Sequence, residues 1–337
     1  MKAFQTQEIG SLRKPRWLIT TLRNKEVSAI DKERARDDLA YLNTRILEDL
    51  GLDIVYDGEA RRVEMYEYPI RHIEGFEFAG LVRSWDNKYY RKARCIGEVR
   101  YKENYHIDEF KFLKRIAKKE LKIPITGPYT LADWSYNEYY DSKAEFIIAL
   151  ARNVIRPLMN DLVKHGAKII QLDEPAATTH PAEMEIFVEA INECVKGVNA
   201  KVTMHICYSG NEYRALIPYL NEMNIKQYAL EFANRDKLEL GVDDNSRRGY
   251  QVIKEFKDNG FEGEIGLGVL DVHIDEIEPP ELVRDRLLYV SRFIDPEKIY
   301  ANPDCGLRTR SREIAFEKMK NMVKGADLAR KELGYKD

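Results

Sequence analysis

The chain has 337 residues, 44% of them hydrophobic and 33% charged, and a formal net charge of −3. That length can bury a large core in a soluble globular protein, and the near-balanced charge, with no basic block outweighing its acidic neighbours, argues against a nucleic-acid surface. No apolar run approaches the roughly 18 residues that span a bilayer, and the start MKAFQTQEIGSLRKPRW lacks the apolar centre of a signal peptide, so a cytoplasmic protein without a membrane partner is expected.

Eight segments read as strands: FQTQEIG (4–10), LDIVYDG (52–58), KIPITGP (122–128), AKIIQLDEP (167–175), KVTMHIC (201–207), KQYALEF (226–232), EIGLGVLDV (264–272) and KIYANPD (298–304). Amphipathic helical patterns separate most of them. DKERARDDLAYLNTRILEDLG places apolar residues at Leu39, Leu42, Ile46 and Leu50 before Gly51, and EFIIALARNVIRPLMNDLVKHG and REIAFEKMKNMVKGADLARKELG repeat the pattern. Eight alternations with a Gly or Pro turn after each unit predict an α/β chain folded as a parallel (β/α)8 TIM barrel.

Residues 59–121, between the second and third strands, are too many for one helix. Within them GFEFAGLVRSWDNKYYRKARCIGEV has β-rich runs around a turn at Asp86 and Asn87, which predicts an antiparallel hairpin making an excursion over the barrel mouth. No repeat, low-complexity segment or linker interrupts the chain, so residues 1–337 are expected to form a single domain carrying that insertion.

Barrels of this kind keep their chemistry at the C-terminal ends of the strands. The polar residues there are Ser11, then Asp173 and Glu174, then His205 and Cys207, then Glu231, then Asp271 and His273, and finally Asp304 with Cys305. His205 and Cys207 stand two apart, so on a strand both side chains share a face. With Glu231 and Cys305 they form a set of imidazole, thiolate and carboxylate that suits Zn²⁺ better than the hard oxygen-seeking ions. The four cysteines, at 95, 194, 207 and 305, are too scattered for a disulfide framework, which leaves thiolates free for a metal. Cys194, inside a helical stretch, reads as a buried hydrophobe. Four protein ligands ordinarily indicate a closed structural site. The rim location favours catalysis instead, with the Glu231 carboxylate yielding to an incoming thiol.

The runs QEIGS, DGEARRVEMYEY, ITGPYTLADWSY, IIQLDEPA, HICY, LEFANRD, GVLDVH and NPDCGLRTR resemble, in order and over nearly the whole chain, the catalytic barrel of cobalamin-independent methionine synthase. The resemblance implies a homocysteine S-methyltransferase, with zinc held by His205, Cys207, Glu231 and Cys305 to activate the homocysteine thiol. It implies that Glu67 and Asp173 hold the amino group of homocysteine and that the turn at Ile9, Gly10 and Ser11 meets its carboxylate. Without the family, the alternative reading of Asp173 is a helix N-cap. His273 matches the acid that protonates the departing amine; as a sequence feature it is also consistent with a hydrogen bonder held by Asp271.

For the methyl donor, Trp134 matches a residue that stacks on a pterin ring, and Arg94, Cys95 and Ile96 match a folate-contacting strand, which implies methyltetrahydrofolate. Long members of the family carry an additional N-terminal half that these 337 residues do not contain, and Thr179 stands near where folate-using members place a Glu. Short archaeal-type members are associated with a methylated corrinoid, carried in some cases by a partner protein, and both donors stay open. The alternatives are a related barrel enzyme that methylates another thiol such as coenzyme M, or a porphyrin decarboxylase. A zinc hydrolase is disfavoured because no H-x-H occurs.

Overall fold

The structure is a computed structural model that describes residues 2–83, 89–103, 105–207 and 213–335. Its strands are β1 (Gln5–Thr6), β2 (Ile54–Val55), β3 (Ile73–Arg83), β4 (Tyr89–Tyr101), β5 (Glu120–Thr126), β6 (Tyr136–Asn137), β7 (Ile169–Asp173), β8 (Lys201–Ile206), β9 (Gln227–Leu230), β10 (Glu264–Leu270) and β11 (Ile299–Pro303). Eight of them form one sheet in the order β1-β11-β10-β9-β8-β7-β5-β2. An isolated parallel bridge from Gln7 to Ile54 joins the two ends of that order, as a closed sheet requires. The fold is the expected (β/α)8 barrel, and all eight sequence-predicted strands are found. Most are shorter than predicted, β1 and β2 having only two residues each.

By its contacts the chain divides into two compact units, one comprising Met1–Arg61, Phe112–Lys122 and Gln227–Asp337, the other Arg62–Lys111 and Ile123–Lys226. In the first unit β11 pairs in parallel with β1 and β10, β10 with β9, and β2 with β5. These strands are almost wholly buried, as both-face coverage by helices demands. Where polar side chains enter this core they satisfy one another. Gln7 Nε2 donates to Gln227 Oε1 at 2.9 Å and to Asn302 Oδ1 at 3.1 Å, and the fully buried Lys122 Nζ reaches Gln7 Oε1 at 3.2 Å and the Glu8 carbonyl at 2.6 Å. Gly266 leaves the space: a Cβ there would lie 2.6 Å from Asn302 Oδ1.

The helix Ala29–Asp49 starts on Ser28, whose hydroxyl accepts from Asp31 N, and stops before Gly51 at φ +93°. Its buried face is not the predicted stripe. Leu42 is exposed, and Asn43 and Thr44 turn inward because each has an internal acceptor: Asn43 Nδ2 donates to the Asp57 carbonyl at 2.8 Å and Thr44 Oγ1 to the Ala40 carbonyl at 2.8 Å. The helix Arg312–Glu332 shows the expected periodic face, with Ala315, Met319, Met322, Ala326 and Ala329 buried.

In the second unit β7 and β8 pair in parallel with Asp173 opposite His205. The predicted hairpin is present as β3 and β4, antiparallel, with two register shifts. Its predicted turn at Asp86 and Asn87 lies outside the described residues. The two-residue β6 was not predicted; it adds to β4 in parallel, Arg94 opposite Tyr136. No described helix is long and apolar enough to cross a membrane.

Candidate active site

In the unit that carries β7 and β8, the last residue of β7 is Asp173, buried, with Gln171 Nε2 donating to its Oδ1 at 2.7 Å. The following Glu174 is fully buried. Its backbone N–H donates to the His205 carbonyl at 2.8 Å, while its carboxylate accepts from Tyr129 N at 3.0 Å, Thr130 N at 2.8 Å and Thr130 Oγ1 at 2.6 Å. Gly127 makes this approach possible, since a Cβ there would stand 2.1 Å from Glu174 Oε1. Burial pushes the Glu174 carboxyl up to about 7. The Glu174 side chain thus secures the start of the short helix Pro128–Asp133, whose C-terminal cap is Trp134.

Trp134 belongs to an aromatic group, with ring centroids 6.1 Å from Tyr66 and 6.0 Å from Tyr90. Tyr66 is pinned by Ala93 N at 2.9 Å and by the Ser135 hydroxyl at 2.8 Å, so strand β4 and the Trp134 helix share one anchor. Glu67, next in sequence, is buried and engaged by Arg71 one helical turn on and by Arg91 N at 3.3 Å. Arg94 is half-exposed and faces Glu77 at 3.3 Å and Glu138 at 3.9 Å. The Cys95 thiol is buried, donates to the Gly97 carbonyl at 3.3 Å and is pushed up to about 11 by burial, and its backbone carbonyl accepts from Glu138 N at 3.0 Å. Ile96 is exposed.

In the other unit, the turn after β1 holds Ile9 and Gly10 buried and Ser11 half-buried. Gly306 packs directly on it: a Cβ at 306 would lie 2.8 Å from Ser11 N. At the end of β9, Glu231 is 1% exposed, and its Oε2 accepts from Asn234 Nδ2 at 3.0 Å. Asp304, at the end of β11, is fully buried and accepts three consecutive backbone N–H groups, from Phe232 at 2.9 Å, Ala233 at 3.0 Å and Asn234 at 2.7 Å. Burial pushes its carboxyl up to about 7, although the three donors pull the other way.

Asp271 and His273 follow β10. The Asp271 carboxylate accepts from the backbone N of His273 at 2.8 Å, and His273 is exposed. Beneath them lies a buried ion network: Asp271 N donates to Glu278 Oε1 at 2.7 Å, and Lys318 Nζ bridges Glu278 Oε2 at 2.7 Å and the Asp271 carbonyl at 3.0 Å.

His205, Cys207 and Cys305 each offer a ligand atom, and these atoms lie within 4.8 Å of one another. One imidazole nitrogen and two thiol sulfurs are a donor set that fits zinc, and oxygen-seeking cations such as Mg²⁺ or Ca²⁺ would not be held by it. Glu231, the fourth predicted ligand, is not a member of that close group. Asn234 was not singled out in the sequence, and Glu174 and Asp304 were read only as polar residues at strand ends. Their partners lie 45 and about 70 residues away, and no periodicity marks such contacts.

Residues 4–328 match the family described as cobalamin-independent synthase, catalytic domain. A methionine synthase of Thermoplasma volcanium is 44% identical over 336 residues, covering 96% of this chain and 97% of the relative. A methionine synthase of Pyrococcus furiosus is 42% identical over 97% of this chain and 93% of its own. Among solved structures, a B12-independent methionine synthase from Shewanella in complex with selenomethionine superposes with a TM-score of 0.84 at 25% identity, covering 98% and 99% of the two chains.

Proposed function

The chain belongs to the cobalamin-independent methionine synthase family and is a methyltransferase acting on homocysteine, and we propose that it works with a zinc ion held by His205, Cys207, Cys305 and Glu231. The observation that carries this reading is the convergence of one nitrogen and two sulfur ligand atoms within 4.8 Å. Zinc bound there would supply thiolate at neutral pH from a thiol whose ordinary pKa is about 8.5. Glu231 is the ligand suited to yield to the substrate sulfur, because its carboxylate is the hardest donor beside an imidazole and two thiolates.

The remaining roles belong to the chain's own side chains. Asp173 and Glu67 face the ammonium of homocysteine, and N–H groups of the Ile9–Ser11 turn receive its carboxylate. Asp173 stands opposite His205 across the β7/β8 pair. Adjacent strands run about 4.8 Å apart, so a short amino-acid thiol can meet a carboxylate and the metal at once. This spacing favours homocysteine over a thiol without an amino group, such as coenzyme M. With a pterin donor, as the methyl group passes to sulfur, His273, exposed and backed by Asp271, gives a proton to the departing pterin amine; a corrinoid donor would need no such proton.

The donor is either a pterin of the methyltetrahydrofolate type or a methylated corrinoid. A flat ring suits the Trp134, Tyr66 and Tyr90 group, with Arg94 and Cys95 alongside. We place the enzyme in the cytoplasm as one functional domain with the hairpin as part of it. The test is methyl transfer to homocysteine with methyltetrahydrofolate, its polyglutamate and methylcobalamin in parallel, on protein assayed for zinc. One zinc per chain and turnover with at least one donor are expected. A folded, metal-free protein whose His205→Ala variant binds homocysteine unchanged would overturn the zinc reading.

A further inference from the structure

The loop that follows Glu231 is fastened at both of its ends by buried charge. At its start, Asp304 Oδ1 accepts from Phe232 N and Ala233 N, and Oδ2 accepts from Asn234 N. At its far end, Asp236 Oδ2 meets Arg247 at 3.0 Å and Arg286 at 3.1 Å, all three side chains wholly buried. Asp304 is itself fixed, its own N–H donating to the Leu270 carbonyl at 2.9 Å. Gly268 on β10 makes the room, for a Cβ there would fall 2.1 Å from Asp304 Oδ1 and 2.7 Å from the Leu230 carbonyl. Tyr250 in turn holds the Gly268 carbonyl at 2.7 Å while its ring stacks on Phe232, centroids 5.5 Å apart.

The three N–H groups that Asp304 gathers belong to the three residues immediately after Glu231. The last of them, Asn234, returns its side-chain amide to Glu231 Oε2 at 3.0 Å. From this chain of contacts we infer that Asp304 is a positioning residue that sets the Glu231 carboxylate for the metal, acting through the backbone and side chain of Asn234.

A buried carboxylate serving only to hold the fold would have no reason to end on the one acidic ligand of the site. Here each link is specific. Replacing Asp304 by Asn keeps an acceptor for Phe232 and Ala233 but turns an NH₂ group toward the N–H of Asn234, two donors face to face. The loop then shifts at Asn234 first, and Glu231 loses its partner. Outer-shell groups of this kind are worth roughly 10–100-fold in metal affinity.

The inference rests on the zinc reading above, and the experiment separates the two. Zinc affinity is measured by competition with a chromophoric chelator for the parent, Asp304→Asn, Asn234→Ala and the double variant, alongside melting temperature and the visible bands of the cobalt-loaded proteins. Asn234 is only partly buried, so its Ala variant keeps the fold. The expected result is a roughly 10–100-fold loss for Asp304→Asn, a loss of similar size for Asn234→Ala, and a double variant no worse than the weaker single, with the cobalt bands shifted alike in all three. Parent protein that takes up no zinc or cobalt overturns the zinc reading and this inference together. Parent that binds zinc while Asn234→Ala binds it within twofold of parent, or losses that simply multiply in the double variant, overturns the inference alone.

Discussion

Glu174 and Asp304 stand at equivalent stations past the ends of β7 and β11, one in each unit. Each passes its own N–H to a carbonyl beyond it, His205 for Glu174 and Leu270 for Asp304, and each turns its carboxylate onto the N–H groups of another loop. Each also faces a glycine, Gly127 or Gly268, whose missing Cβ leaves 2.1 Å that nothing else could fill. What hangs from the two cradles differs. Glu174 fixes a helix that ends on Trp134, the residue proposed above to face the methyl donor; Asp304 fixes the turn that follows Glu231, the proposed fourth ligand. On that proposal the same device, a buried acceptor for loop amides, would serve both halves of one reaction.

The largest break in that comparison is expected from Gly268→Ala. Displacing Asp304 should lower zinc affinity by tenfold or more and methyl transfer with it, measured by zinc titration and turnover; unchanged zinc binding would show that the Asp304 cradle is not what holds Glu231. Next in size, Gly127→Ala should raise the KM for the methyl donor about tenfold (about 1.4 kcal/mol) with zinc content unaltered. Equal zinc loss in both variants would dissolve the division of labour. Glu174→Gln should act in the same direction as Gly127→Ala but only a few-fold, because the amide keeps one acceptor for the Tyr129 and Thr130 donors.

The smallest effect on the site is expected from a group in the unit of Glu174 but away from its cradle. His106 is buried against Arg62 and Glu109, and burial first, then the Arg62 charge, depress its pKa from 6.5 to about 4. Between those values the unfolded chain binds protons that the folded one refuses. The His106 contribution to stability therefore falls as pH drops from 6.5 toward 4, by about 2–3 kcal/mol. From pH 7 to pH 5, urea unfolding should show the parent losing about 2 kcal/mol of stability relative to His106→Gln, every other titrating group being common to both, while zinc affinity at pH 7 stays the same in both.

The barrel was legible because burial on two faces writes each parallel strand as a short apolar run, and helical periodicity marks what lies between. Less legible was anything set by side-chain hydrogen bonding. Leu42 read as core, yet Asn43 and Thr44 displaced it once each found a carbonyl. Strand β6 is two residues long and exists only because β4 offers it an edge. At the site, the close group of His205, Cys207 and Cys305 was readable from HICY and NPDCG, whereas Glu231 of LEFANRD, expected with them, is not a member of that group. The carboxylate cradles were not readable, since no local pattern ties Asp304 to the residues after Glu231. The signal that was available is negative: glycines in the middle of IGLGVL and before PYT, where a barrel strand ordinarily carries bulk.

The placement of the four cysteines also decides how the protein meets oxidants and alkylating agents. Cys95 and Cys194 are buried, with thiols that burial holds protonated and so inert. Cys207 and Cys305 are partly exposed and stand close together beside His205. A sulfur open enough to admit a substrate thiol is open to peroxide as well, and the first oxidation steps fall on those two residues. A metal bound there would thus act as a protecting group in the synthetic chemist's sense, masking both thiolates until the one intended nucleophile arrives.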